Sequence, residues 1–133
     1  MNEPGTIARM LAGKTVAVVG LSADRGKPSH YVSAYLQSVG KIILPVNPSI
    51  KEVLGVRSYA SLNDLPEKPD VVNVFRLPRA IPAIVDEMIA LGMTALWVQQ
   101  GIRNEEAAAR AEAHGIRVVM DRCIMVDHRF GSR

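Results

Sequence analysis

A chain of 133 residues has the length of one domain and enough material for a buried core. Its 48% hydrophobic and 22% charged residues exclude a disordered chain, and no apolar run reaches the roughly 20 residues of a membrane-spanning helix. Sixteen basic against thirteen acidic residues leave a net charge of +3, which suits a small anionic ligand. A nucleic-acid surface would need a basic cluster and more than 5% aromatic residues.

In chain order, Thr6 is placed to cap a short opening helix with Ile7, Met10 and Leu11 on one face and Gly13 after it. Thr15 to Val19 reads as a strand apolar on both sides, the pattern of a covered parallel sheet. A loop from Gly20 to Lys27 leads into a helix whose face is Val32, Tyr35, Leu36 and Val39, ended by Gly40. Ile42 to Leu44 is the second strand, with Pro45, Asn47 and Pro48 expected to terminate it. Val56 to Tyr59 reads as a short edge strand and Ser61 to Leu65 as a single helical turn. Val71 to Phe75 is the next strand, and Pro78 fits the first turn of the helix bearing Ile81, Ile84, Val85, Met88 and Ile89. After Gly92, Ala95 to Val98 forms a strand. Asn104 then caps an alanine-rich helix with Glu105 and Glu106 in its first turn. Ile116 to Met120 is the last strand, and the tail from Asp121 has no clear period.

Strands alternating with helices predict an α/β fold: a doubly wound, Rossmann-like parallel sheet of five or six strands in a three-layer αβα arrangement, one domain over 1–133. Such sheets bind ligands beyond the carboxyl ends of their strands, where the strand order reverses. The stretches to inspect are therefore Gly20–Ser29, Pro45–Lys51, Arg76–Arg79, Gln99–Arg103 and Asp121–Cys123.

The first of these has the makings of an anion cradle. Gly20 permits close backbone approach, the following helix contributes a positive N-terminus, Ser22 and Ser29 offer hydroxyls, and Arg25 and Lys27 offer charge. The dinucleotide fingerprint fails, because Ser22 and Arg25 stand where its second and third glycines belong. Nor does an acid end the second strand to hold a ribose, which disfavours NAD. NADP is less strongly excluded, since Lys51 is placed to meet a 2′-phosphate. The P-loop pattern fails as well: Pro28 follows Lys27 where a magnesium-binding hydroxyl is required, and no acid ends the Val71–Phe75 strand.

From about Gly13 to His128 the chain resembles the small stand-alone coenzyme A-binding proteins, whose Rossmann-like domain is similar to the N-terminal domain of the succinyl-CoA synthetase α subunit. The resemblance rests on the order and spacing of Val18-Val19-Gly20-Leu21-Ser22, Tyr35-Leu36, Pro45-Val46-Asn47-Pro48, Leu54-Gly55 with Tyr59 and Ser61-Leu62, Phe75-Arg76 with Pro78, Trp97 with Gln99 and Gly101-Ile102, and Asp121-Arg122-Cys123-Ile124. It implies binding of coenzyme A through its ADP-like half. Gly20, Leu21, Ser22 and Ser29 would line the phosphates, with Arg25 or Lys27 near. Pro45, Val46 and Asn47 would line the adenosine pocket. Arg76 and Pro78 would form the opposite wall, with Gln99 and Gly101 beyond. Where relatives tend to carry an acid after the Phe-Arg-x-Pro stretch, this chain has Arg79.

Coenzyme A carries a diphosphate and a 3′-phosphate, so its site should be more basic than an NAD site. Arg25, Lys27, Lys51, Arg57, Arg76 and Arg79 lie on or near the ligand-side loops, and Arg76, directly after a buried strand, is the strongest of them. The synthetase family's phosphorylated histidine belongs to a second domain, so His30, His114 and His128 are not carried over. Each reads as structural or solvated. Asp121, Cys123, Asp127 and His128 match no zinc spacing. Cys123, which has no second cysteine to pair with, reads first as a small buried hydrophobe. A redox thiol that forms a mixed disulfide with coenzyme A is the weaker reading. The absence of an intrachain disulfide and of an apolar leader in MNEPGTIARML fits the cytoplasm. The expectation is a non-catalytic protein that binds coenzyme A or a short acyl-CoA as carrier, sensor or detached subunit, with no nucleic acid or membrane partner. The rivals are an NADP-linked oxidoreductase or CoA-dependent transferase subunit, and a nucleotide-regulated protein-interaction domain.

Overall fold

The computed structural model describes residues 1–131. Ser132 and Arg133, the end of the domain expected over 1–133, lie outside the described residues. The elements run α1 (Pro4–Leu11), β1 (Thr15–Val19), α2 (Pro28–Ser38), β2 (Ile42–Val46), β3 (Glu52–Val53), β4 (Val56–Arg57), β5 (Val71–Val74), α3 (Ile81–Leu91), β6 (Ala95–Val98), α4 (Glu105–Ala113), β7 (Arg117–Met120) and α5 (Ile124–Val126). Single 3₁₀ turns stand at Leu62–Asp64 and Pro78–Ala80, and a π-helical stretch at Asp127–Gly131 follows α5.

Five strands form one parallel sheet in the order β2-β1-β5-β6-β7. The order reverses between β1 and β5, so a crevice opens past their carboxyl ends. Side chains alternate strictly across the sheet. Ala17, Val19, Val72, Val74, Leu96 and Val98 meet α3 and α4 on one face. Val16, Val18, Val71, Trp97 and Val119 meet α1, α2 and α5 on the other. Both faces are therefore covered, which gives the three-layer, Rossmann-like α/β fold and explains why the strands read as unbroken apolar runs. Trp97 is wholly buried, and its indole N–H donates to the Arg122 carbonyl at 2.8 Å.

Several expectations need correction. Pro45 does not end β2: it lies within the strand, paired with Val18. Because β2 is the edge strand, the missing N–H faces away from β1. On that outer side the Pro45 carbonyl accepts from Tyr59 N at 2.9 Å. Thr6 does not cap α1, whose N-cap position is Glu3. The edge strand expected over Val56–Tyr59 is instead a small antiparallel hairpin, β3 with β4, and a single bridge joins Val46 to Tyr59. Asn104 caps α4 as expected, accepting from Ala107 N at 3.0 Å.

Candidate functional site at the strand-order reversal

Gly20 leaves β1 with φ of +88°, and its N–H donates to the Val46 carbonyl at 2.9 Å. A Cβ here would lie 2.6 Å from the Phe75 carbonyl oxygen and 2.9 Å from Arg76 Cδ. Only glycine lets the β1 loop pass this close to the exit of β5.

The loop then holds its own shape. Ser22 N donates to Ser29 Oγ at 2.9 Å, Asp24 N to Ser22 Oγ at 3.0 Å, and Gly26 N to Asp24 Oδ1 at 2.9 Å. Pro28 occupies the first turn of α2, where a missing N–H costs little. Ser29 is buried, and its backbone N–H takes no acceptor among the described residues. That free donor and the α2 dipole leave positive potential over the loop.

A cleft of about 830 Å³ opens between this loop, the start of α2, the ends of β5 and β6, and α5. Gly20, Ser22, Lys27, Ser29, Arg76, Gln99 and Gln100 contribute to its polar lining. No Asp or Glu lines it, and neither Lys27 nor Arg76 is paired with a carboxylate among the described residues. Gln99 is buried at 4% exposure. Its Oε1 accepts from Ile124 N at 3.1 Å, while its Nε2 has no partner among the described residues. An amide donor held at a cleft wall without an acceptor is suited to a ligand oxygen. Unpaired cations, backbone donors and the absence of acid together fit a polyphosphate.

The far wall comes from the C-terminal turn, which supplies Cys123, Met125 and Val126. Besides the Gln99–Ile124 bond, three contacts fasten it. Arg122 grips Asp127 through two bonds of 2.6 and 2.8 Å, which raises the guanidinium's affinity for its proton. Trp97 holds the Arg122 carbonyl. Tyr35 Oη meets His128 Nδ1 at 2.7 Å, and burial, with Lys41 nearby, holds His128 below the ordinary histidine range. Next to this wall Asp121 accepts from Gly101 N at 2.6 Å and from Arg103 at 3.1 Å. Those two bonds push its carboxyl below the usual range. Asp121 thereby ties the β6 and β7 exits together.

Of the residues singled out from sequence, Gly20, Ser22, Lys27, Ser29, Arg76 and Gln99 converge on this cleft. Leu21 is wholly buried, and Val46 packs in the core against α3 and α4. Pro45 lies in β2. Asn47 uses its amide N–H on the Leu21 carbonyl and its Oδ1 on Ser49 N, so it braces the cradle from behind. Arg25 is exposed on the loop, and Pro78 and Gly101 stand outside the cleft lining. A second cavity, of about 730 Å³, lies past the end of β2, bounded by Asn47, Lys51, Arg57 and Tyr59. There the Arg57 guanidinium sits 5.2 Å from the centre of the Tyr59 ring. Sequence reasoning missed Tyr31, Met125 and Val126. Tyr31 falls off the apolar face of α2, and the tail showed no period to place the other two.

Comparison with known proteins agrees with this architecture. Residues 14–129 match the family model described as a CoA binding domain. An uncharacterized protein of Bacillus subtilis, YneT, is 43% identical over 115 residues, covering 86% of this chain and 85% of that protein. The structure of cell-free ID.343 from Thermus thermophilus superposes with a TM-score of 0.89 at 41% identity, covering 97% of this chain and 98% of the other. Acetate–CoA ligase [ADP-forming] I of Archaeoglobus fulgidus is 25% identical over 126 residues, which span 87% of this chain but 18% of the ligase. The chain belongs to the CoA-binding domain family.

Proposed function

We propose that this member of the CoA-binding domain family binds coenzyme A in the cleft at the strand-order reversal, as a cytoplasmic binding protein without catalysis of its own. One observation carries the reading: the self-braced Gly20–Ser29 loop and the unpaired Arg76 face one acid-free cleft. In this reading the loop and the α2 N-terminus receive the diphosphate, Lys27 and Arg76 neutralise it, and Gln99 Nε2 donates to an oxygen further along the ligand. The adenosine end lies toward β2, with Lys51 and Arg57 of the second cavity within its neighbourhood. Bound coenzyme A presents a thiol or thioester; the chain's own residues bind and orient it.

Titration calorimetry with coenzyme A, dephospho-coenzyme A, NAD, NADP and ATP tests this. Coenzyme A should rank first. Arg76→Ala should weaken it by about 1.5–3 kcal/mol, the range for a hydrogen bond to a charged group, or roughly ten- to hundredfold. The smaller end is expected because Arg76 is exposed. A stronger response to NADP, or unchanged affinity in Arg76→Ala, refutes the reading. A second reading, a detached coenzyme A-handling piece of a larger ligase, is favoured by the match to less than a fifth of an acetate–CoA ligase. It predicts that the chain forms no acetyl-CoA from acetate, coenzyme A and ATP until a complementing protein is added.

A further inference from the structure

Sequence alone reads Cys123 first as a small buried hydrophobe. The structure places it otherwise. The residue is only partly buried: one side packs on the core, and the other faces the cleft that Lys27, Arg76 and Gln99 also line. Its backbone is pinned by hydrogen bonds before, at and after the residue. The Arg122 carbonyl accepts from the Trp97 indole at 2.8 Å, the Cys123 carbonyl accepts from Asp127 N at 3.0 Å, and Ile124 N donates to Gln99 Oε1 at 3.1 Å. The place of the thiol at the wall is therefore set to within a choice of side-chain rotamer.

Gln99 is an independent sign that a ligand passes beside this thiol. The side chain is 4% exposed, and its Nε2 has no partner among the described residues. Ser33 Oγ and the Asn73 amide are sealed in the interior; Gln99 Nε2 instead opens on the cleft. A buried donor is costly to leave unmatched, so an acceptor arriving in the cleft is what this one awaits. One amide thus holds the peptide after Cys123 and offers its other end to whatever occupies the cleft.

The surroundings define the partner sulfur. The chain holds no second cysteine. The thiol lies in a concave, acid-free cleft beside two unpaired cations, which favours a small anionic disulfide over the thiol of another protein. Resting on the proposed coenzyme A reading, the diphosphate sits at the Gly20–Ser29 loop. That loop and Cys123 face the same cleft, and α5 packs beside α2, the helix that the loop enters. A pantetheine arm spans up to roughly 15 Å when extended and less when folded, so no particular path is needed to bring its sulfur to Cys123.

We propose that Cys123 is a thiol–disulfide exchange site inside the ligand cleft, at which the chain takes up one coenzyme A moiety from coenzyme A disulfide. The Cys123 thiolate attacks one sulfur of that disulfide. The old S–S bond breaks, a new one joins Cys123 Sγ to the pantetheine sulfur, and the other coenzyme A leaves as a thiolate, which takes up the proton that Cys123 gave to solvent. The disulfide is the oxidant, and no other is consumed. A free thiol reverses the exchange by the same chemistry. Until it does, the cleft holds its ligand covalently, so release depends on the balance of thiols and disulfides around the protein.

Because the chain has a single cysteine, intact mass alone identifies the modified residue. The reduced protein is treated with coenzyme A disulfide or with pantethine, the disulfide of the same arm without phosphates or adenosine. The two reagents share the reacting sulfurs, so a difference in rate reports the anionic half. A sulfur tethered through its phosphates has an effective concentration in the millimolar range, so with each reagent at about 0.1 mM the coenzyme A adduct should form about tenfold faster than the pantetheine adduct. Arg76→Ala should narrow that advantage, Cys123→Ser should form no adduct, and dithiothreitol should restore the parent mass. Calorimetry of the reduced protein with coenzyme A reads the non-covalent site separately. If coenzyme A binds but no adduct forms, or the two disulfides react at equal rates, the exchange proposal is overturned and the coenzyme A reading stands. If coenzyme A does not bind, the coenzyme A reading fails first and the proposal falls with it.

Discussion

The closeness of the β1 loop to the β5 exit can be measured through Gly20→Ala. Two costs add at that position. A side chain at φ of +88° costs about 1–2 kcal/mol in a conformation that L residues avoid. The new Cβ would also stand 2.6 Å from a backbone carbonyl, which cannot rotate away, and forced displacement of packed structure costs about 1–3 kcal/mol. The sum is about 2–5 kcal/mol. Gly101→Ala separates the terms, because it has φ of +86° with no atom within 4 Å of the added carbon, so strain alone applies. Gly26→Ala carries neither cost: its added carbon would meet only Asp24 Oδ1, at an ordinary 3.4 Å. Urea unfolding followed by the fluorescence of Trp97, the chain's single tryptophan and wholly buried, reports all three. The expected order of loss is Gly20, then Gly101, then Gly26 near zero. Coenzyme A affinity should fall in Gly20→Ala beyond what instability explains, since the cradle must shift with the loop. If Gly20→Ala costs no more than Gly101→Ala, the close approach is absent and the cleft geometry built on it is wrong.

Two further outcomes are expected. Asn73 lies in the central strand β5, wholly buried, and neither its Oδ1 nor its Nδ2 has a partner among the described residues. Asn73→Val should therefore stabilise the fold by about 1–2 kcal/mol, a rise of several degrees in Tm for a chain of this size. A fall in Tm would mean the amide is satisfied by a buried water and belongs to the packing. The second outcome concerns His128, whose folded-state pKa lies below its ordinary value of 6.5 because of burial, with Lys41 adding to the effect. Between the depressed and the ordinary pKa the unfolded chain binds more protons than the folded one, so stability is full above about 6.5 and declines as pH falls through the lower folded value. Thermal melts between pH 7.5 and 5.5 should show that decline, and His128→Gln should flatten it. An identical slope in the variant would assign the dependence elsewhere.

The layered fold was legible because period and punctuation agreed. Thr15–Val19 and Ala95–Val98 are apolar on both faces, Val71–Phe75 is apolar except at Asn73, and glycines close the helices between them. The errors cluster at the sheet edge, where that logic weakens. Pro45 reads as a terminator only if its strand has neighbours on both sides. An edge strand leaves the missing donor outward and tolerates it. The β3–β4 hairpin turns at Leu54 and Gly55, both at positive φ, which is the conformation usually signalled by Asn-Gly. Leucine hides that turn. Its side chain packs against the core, and its carbonyl accepts from Gln37 Nε2 at 3.0 Å, so tertiary contacts hold a conformation that local preference disfavours.

For the site, the cradle could be read and its far wall could not. Gly20, Ser22 and Ser29 announce themselves through chemistry that a βα loop needs for little else. Met125 and Val126 belong to a segment whose order comes from a few isolated bonds: Gln99 Oε1 to Ile124 N and His128 to Tyr35 across the chain, and the local Arg122–Asp127 pair. Such bonds leave no periodic trace. They also imply a coupling. Gln99 touches the cleft with one end of its amide and holds the start of α5 with the other, so a ligand oxygen that engages Nε2 fixes the rotamer that fastens Ile124. The cleft and the C-terminal turn are therefore joined through one buried side chain, and occupancy of the cleft should steady the turn.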